Sequence, residues 1–139
     1  MTKSPNRLLA TVFGTIYLVF GLLGFAVTGG FSFFSTQGGL LLGLLEVNIF
    51  HNVVHLVIGA ALLMGGLATI PVARTVNRAI GAAYFALGIV GLFIVNTSAN
   101  ILALNGADNV LHFATAVVLL AVALGAEKSI TPPRSGTTV

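Results

Sequence analysis

Apolar and polar positions fall into long blocks along this chain. Residues 8–28, 49–70, 79–95 and 107–126 are almost wholly apolar, and short polar or glycine-rich stretches separate them. A helix of roughly 20 residues, rising 1.5 Å per residue, crosses the ~30 Å hydrocarbon core of a bilayer. The pattern predicts an all-α fold: an integral membrane four-helix bundle in a single domain, 1–139, with those four blocks as its spans. A cleaved signal peptide is the competing reading of the first block, but its apolar core would run to only ~7–15 residues, and no small-x-small cleavage site follows. Gly29-Gly30 is expected to end the first helix and Pro71 the second. Residues 71–78 and 96–105 then read as short loops and 127–139 as a polar tail. The outer loop, 29–48, is apolar but broken by Ser32, Ser35, Thr36, Gln37, Gly38, Gly39 and Gly43. It is too interrupted to span. It is expected to lie in the interface or fold back over the bundle, because non-helical backbone at membrane depth needs protein or water around it.

Two patterns recur inside the blocks. Gly14, Tyr17, Gly21 and Gly24 in the first return as Gly81, Tyr84, Gly88 and Gly91 in the third. Their spacing makes one stripe on a helix, and small residues on a stripe let helices approach closely in lipid. The stripes read as packing. Asn48, His51, Asn52 and His55 open the second block, and Asn105, Asp108, Asn109 and His112 open the fourth with identical spacing. The chain therefore reads as two tandem two-helix repeats. Each repeat crosses twice, so the expected pseudo-two-fold axis runs along the membrane normal.

The second pattern carries the unusual chemistry. Asn48 and Asn105 suit helix N-caps, which places His51 and Asp108 at the position whose side chain can return to the cap. Asp108 also suits the positive end of the helix dipole. His55 and His112 lie seven residues beyond their caps, about 10 Å into the helix at 1.5 Å per residue. Polar groups at that depth need partners. One reading is polar glue, with Asn52, Asn109, His55 and His112 bonding across the bundle. A second sets His55 and His112 face to face to bind haem b or a metal, with Asp108 or His51 holding the far nitrogen. A third makes them a quinone, lipid or proton contact.

Composition sharpens the class. Of 139 residues, 57% are hydrophobic and 6% charged, against about 25% charged in soluble domains. The absence of cysteine removes thiolate metal sites and thiol catalysis. A net charge of +3 does not indicate nucleic acid, because the basic residues form no patch. Lys3, Arg7, Arg74, Arg78, Lys128 and Arg134 all fall on one side of the expected spans, so both termini are expected in the cytoplasm. Asp108 and His112 make part of a catalytic triad, but no serine stands in the motif and Thr115 is a weak nucleophile candidate, so no enzyme chemistry is expected.

The paired motifs, Asn-x-x-His-Asn-Val-Val-His-Leu and Asn-x-x-Asp-Asn-Val-Leu-His, each opening a span, resemble those of a family of small bacterial four-span membrane proteins, domain of unknown function 4383. The resemblance covers roughly residues 8–126. It implies a four-helix protein of the bacterial cytoplasmic membrane and implies no activity. The expected function is non-enzymatic: a structural or accessory subunit whose partners are the bilayer, other membrane subunits or further copies of itself. The alternatives are a haem-binding or quinone-contacting redox protein using His55 and His112, then an oligomeric transporter or channel.

Overall fold

The computed structural model describes residues 4–126. Lys3, Lys128, Arg134 and the tail expected at 127–139 lie outside the described residues. In chain order the elements are α1 (Pro5–Gly24), β1 (Gly39–Leu41), β2 (Leu45–Val47), α2 (Ile49–Leu67), α3 (Ile70–Ile94) and α4 (Gly106–Gly125). All four helices are long and apolar enough to cross a membrane. Large apolar side chains cover their outer faces, among them Phe93 (75% exposed) and Val110 (70%). Only lipid or another protein suits so apolar an exterior.

Two local expectations need correction. Residues 71–78 are not a loop: α3 begins at Ile70 and runs through them. Pro71 starts this helix, because a proline in the first turn lacks only an N–H that would have had no partner, and its φ is already helical. The turn from α2 to α3 is therefore Ala68-Thr69 alone. The first helix ends at Gly24, ahead of Gly29-Gly30. The N–H groups of Phe25, Ala26 and Val27 bond three residues back instead of four, and this tighter winding brings Thr28 inward, where it is buried. The fold is four helices and mostly helical, as expected, and the outer loop adds a short antiparallel hairpin. Its register pairs Gly39 with Val47, Leu40 with Glu46 and Leu41 with Leu45.

The hairpin turns at Leu42 and Gly43, both at positive φ (54° and 72°), with the Leu44 N–H bonded to the Leu41 carbonyl at 3.1 Å. Two central residues of positive φ match the hand of a twisted hairpin. Leu41, Leu45 and Val47 are buried against Phe20, Val27, Ala107 and Leu111. The segment thus folds back over one end of the bundle, and the burial of that apolar row holds it there.

Within the bundle α1 packs chiefly on α2, and α3 on α4. The glycine stripes set these approaches. A Cβ on Gly14 would strike the Leu63 backbone, and one on Gly59 would meet Leu18. In the other pair, Gly81 faces Leu119 and Leu120, and Gly88 faces the Phe113 ring. Gly21 faces Leu56 in the same way. Ala10, Tyr17, Leu62, Tyr84, Ala116 and Leu119 form the shared core between the pairs.

Candidate functional site: a buried histidine–tyrosine ring

Asn48 and Asn105 each do two jobs at a helix start. As N-caps, their Oδ1 atoms accept the N–H of His51 at 2.8 Å and of Asp108 at 3.0 Å, satisfying donors that no helical carbonyl reaches. Their amide Nδ2 groups then hold down the loops. Asn48 donates to the carbonyls of Ser35 (2.6 Å) and Ile101 (2.8 Å), joining the outer loop to the loop before α4. Asn105 donates to the Leu44 carbonyl at 2.9 Å, at the hairpin tip.

At the next position the copies diverge. Asp108 closes a capping box: its Oδ2 accepts the Asn105 N–H at 2.9 Å and also the Glu46 N–H at 3.1 Å. That carboxylate anchors β2 to α4 and makes no recorded hydrogen bond to the far nitrogen of His112. His51 turns inward instead and is buried against the His55 ring.

Asn52 and Asn109 pack on glycine. The place where a Cβ of Gly24 would stand is filled by Asn52 Oδ1, and that of Gly91 by Asn109 Oδ1. Neither oxygen has a conventional hydrogen-bond donor, so each rests against a glycine Cα, a weak C–H···O contact. Asn52 Nδ2 donates to Thr28 Oγ1 at 3.1 Å.

The histidines complete a closed ring of rings at the centre of the molecule. His51 and His55 stand 4.3 Å apart between ring centroids, His55 and Tyr17 5.3 Å, Tyr17 and Tyr84 5.3 Å, Tyr84 and His112 5.1 Å, and His112 and His51 6.2 Å. All five side chains are buried. Tyr17 and Thr115 share a hydroxyl hydrogen bond of 2.9 Å. The Nδ1 atoms of His51, His55 and His112 are buried without a hydrogen-bond partner, each at a cost of about 1–3 kcal/mol if left so.

The sequence pattern separates Tyr17 and Tyr84, as packing residues, from the histidines, whereas the fold places all of them together. Thr115 and Thr28 enter as partners that no repeated motif marks. The arrangement does not suit haem b. Between His55 and His112 the ground is filled by the stacked tyrosines on one side and His51 on the other, which leaves no flat slot for a macrocycle. Nor does any group of three or more His, Asp or Glu among the described residues have the arrangement of a metal site.

No repeated motif marks the polar contacts at the opposite end. Arg7 Nε donates to the Gly66 carbonyl at 3.1 Å, and Arg74 Nε to the Ala123 carbonyl at 2.7 Å. Each cation thus serves carbonyls at a helix C-terminus that lack helical donors. Between them Asn77 Nδ2 donates to the carbonyl and the Oδ1 of Asn6, at 3.0 and 3.1 Å.

No curated protein and no solved structure matches the chain. A family model described as Domain of unknown function (DUF4383) matches residues 7–125. That span holds the stripes, both motif copies and the hairpin between them, and the chain belongs to this family.

Proposed function

We propose that this is a non-enzymatic, multi-pass protein of the bacterial cytoplasmic membrane, a structural or accessory subunit that works by packing against other membrane proteins or further copies of itself. The observation that carries this reading is the inward use of the polar motif. Asn48, Asn105 and Asp108 bond to this chain's own backbone, and His51, His55 and His112 are at most 2% exposed. The exterior that remains is apolar and broad.

The fold is read as two tandem repeats with cytoplasmic termini. Two features support the repeats. The buried positions of α1 (Asn6, Ala10, Gly14, Tyr17, Gly21, Gly24) match in spacing those of α3 (Ala73, Asn77, Gly81, Tyr84, Gly88, Gly91), with Asn and Ala exchanged at the first two. Arg7 on Gly66 and Arg74 on Ala123 are equivalent contacts in the two halves. Supporting the orientation, Arg7 and Arg74 sit at the end of the bundle away from Glu46 and Asp108.

The test is extraction from native membranes in mild detergent. A subunit migrates on native gels well above its 14.3 kDa plus micelle, with a fixed partner or as an oligomer. A lone monomer across detergents would overturn the reading. A second reading, a quinone or proton contact at His55 and His112, is favoured by the unpaired Nδ1 atoms. On that reading a quinone copurifies with the wild type and is lost in His55→Phe or His112→Phe while the fold persists. If both variants only lower the melting temperature, the histidines are packing.

A further inference from the structure

The loops over the bundle flank an open cleft of about 650 Å³, with the outer loop on one side and residues 96–105 on the other. Ligand sites commonly fall at about 300–1,000 Å³. This one differs from most in its polar lining. Thr36, Gln37, Glu46, Asn96 and Ser98 face it, and Phe31 supplies an apolar surface.

The walls are braced from behind. Asn100 exchanges two bonds with the Leu104 backbone, Nδ2 to the carbonyl at 2.9 Å and Oδ1 from the N–H at 2.8 Å. Asn105 is held by Leu44 and Asp108. Glu46 Oε1 accepts the Gly38 N–H at 2.8 Å, which orients the carboxylate and leaves Oε2 available. A cleft held this way needs little ordering on binding, which favours affinity.

We propose that the cleft binds a polyhydroxylated ligand, a saccharide unit. Each hydroxyl of a sugar both donates and accepts. The lining offers the same mixture: a carboxylate that only accepts, amides that do both through separate atoms, and hydroxyls that do either. Phe31 gives the C–H face of a pyranose an apolar platform. An anion is disfavoured, because no cation among the described residues lines the cleft and the arginines capping α2 and α4 stand at the far end of the bundle. A quaternary ammonium such as choline carries no N–H and a single hydroxyl, and would match few of the donors and acceptors of Gln37, Glu46 and Asn96. The sugar comes from one of two sources, a free saccharide or a glycolipid headgroup. This inference stands apart from the accessory-subunit reading, since a packing subunit and a catalyst could equally carry such a site.

The test uses the full chain in lauryldimethylamine oxide, because a maltoside detergent would itself present the ligand. Saturation-transfer NMR is run with glucose, maltose and choline as probes. Transfer to glucose or maltose, saturating in the millimolar range and absent for choline, is expected. Glu46→Gln keeps an acceptor for Gly38 and should weaken binding at least tenfold. Gln37→Leu and Ser98→Ala, on opposite walls, should each weaken it several-fold, and circular dichroism selects the variants that fold. To separate the sources, vesicles of phosphatidylglycerol with and without monoglucosyl diacylglycerol are compared. Protection of the 96–105 amides from hydrogen exchange only with the glycolipid identifies a headgroup site, and protection by glucose in plain vesicles identifies a free sugar. Choline binding in place of sugar overturns the proposal. So does sugar transfer that all folded variants retain, or no transfer to either sugar together with no glycolipid protection.

Discussion

Asn52 against Gly24 shows how closely single residues are matched here, and Asn109 against Gly91 repeats it. In each pair the amide oxygen fills the space a Cβ would need. An alanine at either glycine must push the asparagine out, and for Asn52 that also breaks its bond to Thr28. Displaced amides deep in a bundle have few other partners, and buried polar groups without partners are costly. Gly24→Ala and Gly91→Ala should therefore each lower stability by about 2–3 kcal/mol, the range typical of a damaging core change. Gly125→Ala is the control, because a Cβ there meets nothing, and it should be neutral or slightly stabilising through helix propensity. Thermal unfolding in detergent measures all three. Equal melting temperatures for Gly91→Ala and Gly125→Ala would show that the asparagine moves freely and the match is incidental.

At the scale of elements the hairpin depends on α4. Asp108 Oδ2 holds the Glu46 N–H and caps its own helix, so one side chain joins two elements. Asp108→Ala removes both bonds. The helix loses about 1–2 kcal/mol of capping, and strand β2 loses its anchor. Hydrogen exchange should then quicken at Glu46 and Val47 by at least tenfold while α1 and the first turns of α3 keep their protection. Uniform acceleration across the bundle would mean that the carboxylate supports global stability instead of the hairpin. The hairpin is also where the sequence was least legible. A hairpin turn whose two central residues both have positive φ is ordinarily signalled by Asn-Gly or Asp-Gly. Here Leu42 takes the first place, a conformation that costs a bulky residue roughly 1–2 kcal/mol, so the signal is missing. Leu41, Leu45 and Val47 give the alternation of a half-buried strand for too few residues to register. Pro71 misled for a different reason, since proline both terminates and begins helices and only the short turn at Ala68-Thr69 decides which. The four helices were legible because lipid demands long unbroken apolar runs. The helix caps were legible because Asn48 and Asn105 stand three residues before His51 and Asp108. The ring of histidines and tyrosines was not, because it joins residues from all four helices that no local spacing connects.

The whole molecule is polarised along its axis. Arg7 and Arg74 stand at one end, and Glu46 and Asp108 at the other. On the proposed topology these arginines set orientation by the positive-inside rule, and they also bond carbonyls at the C-termini of α2 and α4. The two roles separate by substitution. Lysine keeps the charge but lacks the planar fork of donors, so Arg74→Lys should preserve orientation and lower stability by about 0.3–1 kcal/mol, the scale of a helix-end charge interaction. Orientation itself can be read directly because the chain has no cysteine. Ser98→Cys places a thiol on the exposed loop beside the cleft, and Thr69→Cys places one in the exposed turn between α2 and α3. In intact cells a membrane-impermeant maleimide should label Ser98→Cys and leave Thr69→Cys unlabelled until the membrane is permeabilised. Arg74→Lys should not change that pattern. The opposite pattern would invert the topology: the hairpin and cleft would then face the cytoplasm, and the arginine positions would owe their placement to helix capping alone.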